Sequence, residues 1–137
     1  MTGLKVGPIF YGVGTGSFLH CYFSNIAYYL ENNRWGSIYP HLMNKLYKGN
    51  LPIEDIHTAK KELDEIKERF KKLMPNQVIW EIENPKQRPP WGDKIAARIT
   101  NLSNYFYTSD GKDLFDVLFT SFETALKVKK DISITSL

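Results

Sequence analysis

The sequence has a single cysteine, Cys21, among its 137 residues. No intramolecular disulfide can form, a composition that suits a reducing compartment. Long apolar runs are missing too. The longest nearly uncharged stretch, Val6 to Leu30, is broken by Gly12, Gly14, Gly16, His20 and Asn25, too polar for the roughly 20 apolar residues of a membrane span. Met1 to Ser17 carries one Lys and no apolar segment ahead of a cleavage-like site, so neither a signal peptide nor a membrane anchor is expected, and the chain should stay in the cytoplasm. Charge of one sign is scarce: 18 basic against 15 acidic residues leave +3, far from the strong basic patch of a nucleic-acid or membrane binder. Repeats, low-complexity tracts and interdomain linkers are absent as well.

Apolar and aromatic residues are plentiful, at 42% and 14%, which supplies a core and argues against disorder. The length fits one domain, 1–137. Leu4 to Val13 mixes β-branched and aromatic residues with Gly and Pro8, predicting one or two short strands. Ser17 is placed to cap a helix from Phe18 to about Asn32, apolar nearly all round. A second helix is expected from Ser37 through Tyr47, closed by Gly49. The third carries the plainest period: Ile56, Ala59, Leu63, Ile66, Phe70 and Leu73 fall on one stripe, and Pro75 ends it. Val78, Trp80 and Ile82 alternate with Ile79, Glu81 and Glu83, predicting a strand with one buried face. Tyr105 to Thr108 reads as a short strand, Asp113 to Lys129 as a fourth amphipathic helix, and Ile132 to Ile134 as a last strand. The expected fold is therefore α/β in the α+β sense, a mixed sheet packed by about four helices in the order β-α-α-α-β-β-α-β.

Catalytic spacing is hard to find. Gly12-Val13-Gly14-Thr15-Gly16-Ser17 lies between a strand and a helix, where phosphate loops occur, yet it matches neither GxGxxG nor a Walker A and reads as a tight turn. His20, His41 and His57 stand alone in sequence, without a second His or Cys at ligand spacing, so no metal site and no cofactor are expected. Neighbours on a helix point about 100° apart, which separates His20 from Cys21. Glu81 and Glu83 share a strand face as a carboxylate pair would, although plain alternation explains them equally. Two loops stand out as surfaces for a protein partner: Arg34-Trp35-Gly36, and Arg88 through Trp91 to Asp93. Arg and large aromatics in rigid loops are favoured interface anchors, and core-capping Trp side chains are the equal alternative. Asp110 and Asp113 fit a turn with a helix cap, and could join Glu81, Glu83 and Asp116 in a local acidic cluster.

Several segments resemble a known family. They are Ser24-Asn25-Ile26-Ala27-Tyr28-Tyr29-Leu30-Glu31, Trp35-Gly36, Leu42 through Gly49, Pro89-Pro90-Trp91-Gly92-Asp93, Leu102 through Phe106, and Thr108-Ser109-Asp110-Gly111-Lys112-Asp113-Leu114-Phe115. Together they look like the Immunity protein 70 family of bacterial polymorphic toxin and contact-dependent inhibition systems, over nearly the whole chain. That resemblance implies a non-enzymatic protein that binds a cognate toxin domain, a nuclease among the candidates, and covers its active site or substrate groove. It brings no catalytic motif, and it leaves monomer and dimer both open. The competing readings are a small enzyme using the Gly12–Ser17 turn with Glu81 and Glu83, and a homo-oligomeric module pairing through an edge strand.

Overall fold

The computed structural model describes residues 1–92 and 94–137. Strands β1 (Thr2–Val6) and β2 (Ile9–Gly14) form a hairpin across Gly7-Pro8. Helix α1 (Gly16–Asn25) follows and widens into a π-helical turn, Ile26–Leu30. A second π-helical segment covers His41–Leu46, and β3 is only Asn50–Leu51. A 3-10 turn, Ile53–Asp55, leads into α2 (Ile56–Phe70). After a long irregular stretch come α3 (Leu114–Val128) and β4 (Ile132–Ser136). The sheet order is β2-β1-β4-β3, and every pairing is antiparallel.

The expected class holds: an α+β fold of one sheet and about four helical bodies. α3 packs on β1, β2 and β4, and α2 packs against α3. The stripe read from sequence faces inward, with Ile56, Ala59, Leu63, Ile66 and Phe70 fully buried. On the sheet, Leu4, Val6, Val13, Leu51 and Ile132 supply the covered face. Each large apolar side chain so buried contributes about 1.5–3 kcal/mol relative to exposure. Tyr22, Phe23, Phe70, Phe106 and Phe115 meet edge-on or tilted beneath α1, with centroids 5.2–6.2 Å apart.

Some local expectations differ. α1 is capped by Thr15, whose hydroxyl accepts from Phe18 N at 3.0 Å, two residues earlier than the expected Ser17. The sheet is antiparallel and not mixed, and two of the expected strands are not there. Val78 and Ile79 are both buried, which no alternating strand allows. Ile79's backbone finds its partners in a side chain: Asn25 Oδ1 accepts from Ile79 N at 2.9 Å, and Asn25 Nδ2 donates to Ile79 O at 3.0 Å. An amide side chain thus takes the place a neighbouring strand would occupy. Around Tyr107 only an isolated bridge to Asp113 forms, where Thr108 N donates to Lys112 O and Leu114 N to Phe106 O. That segment is the loop that delivers the chain into α3.

Candidate functional site

The long irregular stretch lies against the start of α1, and the residues singled out from sequence fall around it in three groups.

The first group surrounds His20, on α1. Its Nε2 lies 2.8 Å from Glu83 Oε1, and its Nδ1 lies 2.6 Å from the Tyr47 hydroxyl. A carboxylate only accepts, so Nε2 donates to Glu83; in the neutral ring Nδ1 then accepts from Tyr47. Trp35 stacks on the imidazole at 6.0 Å with 21° between planes, and its Nε1 donates to Met43 O at 2.9 Å. Trp35 is therefore half-buried and folded back, while Arg34 beside it is exposed. The loop that presents Arg34 is tightly built. Asn32 and Asn33 take left-handed φ values of 52° and 62° that end the helix, a conformation Asn tolerates better than most residues. Glu31, 1% exposed, accepts from Gly36 N at 3.0 Å and from Ile38 N and Tyr39 N at 2.9 Å each. Gly36 suits its place because φ is +78°, a conformation that strains other residues, and a Cβ there would also have to displace the Asn44 side chain.

The hydrogen bond from His20 holds the Glu83 carboxyl below its ordinary range. Burial, and then the Glu83 charge, push the Tyr47 hydroxyl up. Glu81 lines a depression of about 200 Å³ with Gly16, Ser17, His20 and Trp80. The glycine turn and Glu81 are thus brought together, whereas Glu83 points to the histidine instead of pairing with Glu81. His20 is not isolated, as its sequence surroundings suggested. Nor is His41, whose Nδ1 lies 2.7 Å from Glu62 Oε2. Cys21, by contrast, is fully buried with its Sγ directed to Ile79 O at 3.2 Å, and burial raises its thiol to about 12. It takes no part in a dyad.

The second group centres on Trp91. Its Nε1 donates to the Tyr105 hydroxyl at 2.6 Å, and its ring meets Trp80, Tyr105 and Phe18 at 5.5, 6.3 and 6.5 Å. The indole packs against the core margin. Arg88 crosses back to donate to Asn76 O at 2.7 Å and Val78 O at 3.2 Å, which staples the loop to residues 76–78. Asp93 lies outside the described residues.

The third group is acidic. Asp113 is the N-cap of α3, accepting from Phe115 N at 2.8 Å and Asp116 N at 3.4 Å. Burial, with the Asp116 charge added, raises its carboxyl above the ordinary range. Asp110 is exposed, takes a short hydrogen bond from the Thr108 hydroxyl, and lies 3.6 Å from Lys112. The Thr108 bond is the main reason its carboxyl sits low. Asp113 and Asp116 line a depression with Tyr11 and Lys112, and Glu81 lines a different one.

Among the described residues, no three His, Cys, Asp or Glu side chains converge as a metal site would require, and no helix is long and apolar enough to cross a membrane. Compared with known proteins, the chain matches Immunity protein 70 over residues 4–134. The chain belongs to that family. No match was found among curated proteins or among solved structures. As an Immunity protein 70 member it has an immunity role, and its partner class is a cognate toxin protein. The family match spans all three groups of side chains described above.

Proposed function

We propose that this chain neutralises one cognate bacterial toxin domain by docking on it and covering its active site or substrate groove, inside the cell that makes both. The carrying observation is the family match across residues 4–134. The architecture suits the role. Loops on the α1 side are fixed internally by Glu31, Arg88, Trp35 and Trp91, and a preformed surface loses little freedom on binding. An interface of ordinary size covers about 800 Å² per partner, roughly a ninth of this chain's 7156 Å². A setting in polymorphic toxin or contact-dependent inhibition systems, and a nuclease target, both fit this reading.

A catalytic reading draws on the depression that joins Gly16, Ser17, His20, Trp80 and Glu81. At about 200 Å³ it is smaller than the roughly 300–1,000 Å³ of ordinary small-molecule sites, and both ring nitrogens of His20 are already engaged. Docking accounts for more of the surface. The test is growth: cells expressing the toxin domain encoded beside this gene should survive when this chain is co-expressed. Unchanged killing, with both proteins present in soluble form, would refute the proposal.

A further inference from the structure

A groove of about 400 Å³ runs between the glycine turn and the loop after Trp91, with Phe18, Trp91, Ile95, Ile99 and Tyr105 among its walls. A second depression, of about 260 Å³ and bounded by Met74 and Pro75, shares Ile95 and Tyr105 with it. The two adjoin at those residues, and both are lined largely by apolar side chains. Met74 and Ile95 are 55% and 37% exposed, so two of the chain's few large exposed apolar side chains border the same trough. Scattered exposed apolar residues need no explanation, but a contiguous apolar patch marks an interaction surface.

The border of the groove is basic on balance: residues 85–100 hold Lys86, Arg88, Lys94 and Arg98 against the single acid Asp93, and Lys94 and Arg98 are the two placed at the groove. Lys94 lines the groove, and the Arg98 guanidinium lies 4.5 Å from the ring of Tyr107, another wall residue. Among the described residues, no carboxylate pairs with Lys94 or Arg98. Asp110, next to the wall residue Ser109, is held by Thr108 and Lys112.

Resting on the immunity reading above, we infer that this trough is where the toxin docks, and that the docking element is an apolar side chain, aromatic or aliphatic, projecting from an acidic patch of the toxin domain. Charge complementarity selects that occupant. A second copy of this chain, related by a twofold axis, would bring the basic rim against itself. Apolar contact in the trough supplies most of the affinity, and the lysine and arginine rim sets orientation and association rate.

The experiment measures binding of the purified toxin domain encoded beside the gene to four forms of the full chain: wild type, Ile95→Asp, Lys94→Glu, and Lys61→Glu on the exposed face of α2 as a control. Urea midpoints confirm that all four are folded. Ile95→Asp should weaken binding about 30-fold or more. Lys94→Glu should slow association and flatten its salt dependence. The control should bind like wild type. Protection of 94–99 from hydrogen exchange in the wild-type complex gives a readout independent of the substitutions. A wild-type chain that neutralises the toxin, with Ile95→Asp binding equally well and 94–99 unprotected, overturns the trough assignment and leaves the immunity reading standing. A wild-type chain that neither binds nor protects overturns both. Dimers in light scattering that Ile95→Asp dissociates would assign the trough to self-association and overturn the inference.

Discussion

Between Gly36 and Tyr39, three backbone N–H groups converge on the Glu31 carboxylate. Hydrogen bonds to a buried ionised acceptor are among the stronger ones, and donors left unmet in a buried site cost further. Glu31→Ala should therefore lower stability by about 3 kcal/mol, read from urea denaturation, and should free the loop that carries Arg34. A change under 1 kcal/mol would show that water replaces the carboxylate without loss. Glu83 tests the site by pH. Its carboxyl is depressed below the ordinary 4.5, so the pair with His20 adds stability above that value and loses it as pH falls through the lower folded value. Because the Glu83 side chain is 61% exposed, the effect at neutral pH stays below about 1 kcal/mol. The stability gap between wild type and Glu83→Gln should be open at pH 7 and should close below pH 4.5. A gap that persists unchanged into acid would remove the pair from the account.

At the scale of elements, Asp113 holds the start of α3, the helix on which the sheet rests. Removing its side chain (Asp113→Ala) should cost about 1 kcal/mol, the usual loss for an N-cap. Asp113→Asn keeps an acceptor for Phe115 N and relieves both burial of charge and repulsion from Asp116. Its melting temperature should equal or exceed that of wild type at pH 7, and a loss as large as that of the alanine variant would contradict the assignment. Helical elements were the most legible ones in the sequence. The stripe from Ile56 to Phe70 has the 3.6-residue period of a helix and little else competes with it. The segment from Val78 to Glu83 shows where reading fails. Alternation marks which residues are apolar, but it does not say whether a strand or a side chain such as Asn25 will satisfy the backbone. Glu31 and Glu62 were equally hidden: each looks like one more surface acid, yet Glu31 binds backbone N–H groups up to 8 residues on and Glu62 one 20 residues back.

For the molecule as a whole, family and fold class could be read from sequence, while the assembly of the site could not. Trp35 and Trp91 were found as loop aromatics, yet their indole hydrogen bonds to Met43 and Tyr105, 8 and 14 residues on, follow no sequence period. The meeting of His20, Tyr47 and Glu83 spans 63 residues of sequence, beyond any local pattern. The Met74–Ile95 trough needs the same long-range folding. What results is a sheet-and-helix scaffold that fixes one irregular surface, which the proposed function sets against the toxin. A titration of toxin activity with the purified chain tests this most directly. Activity should fall in a straight line and vanish at one equivalent, with the toxin recovered chemically intact from the complex. Complete inactivation at a small fraction of an equivalent, or a chemically altered toxin, would mean that the chain turns over a substrate and would contradict the account.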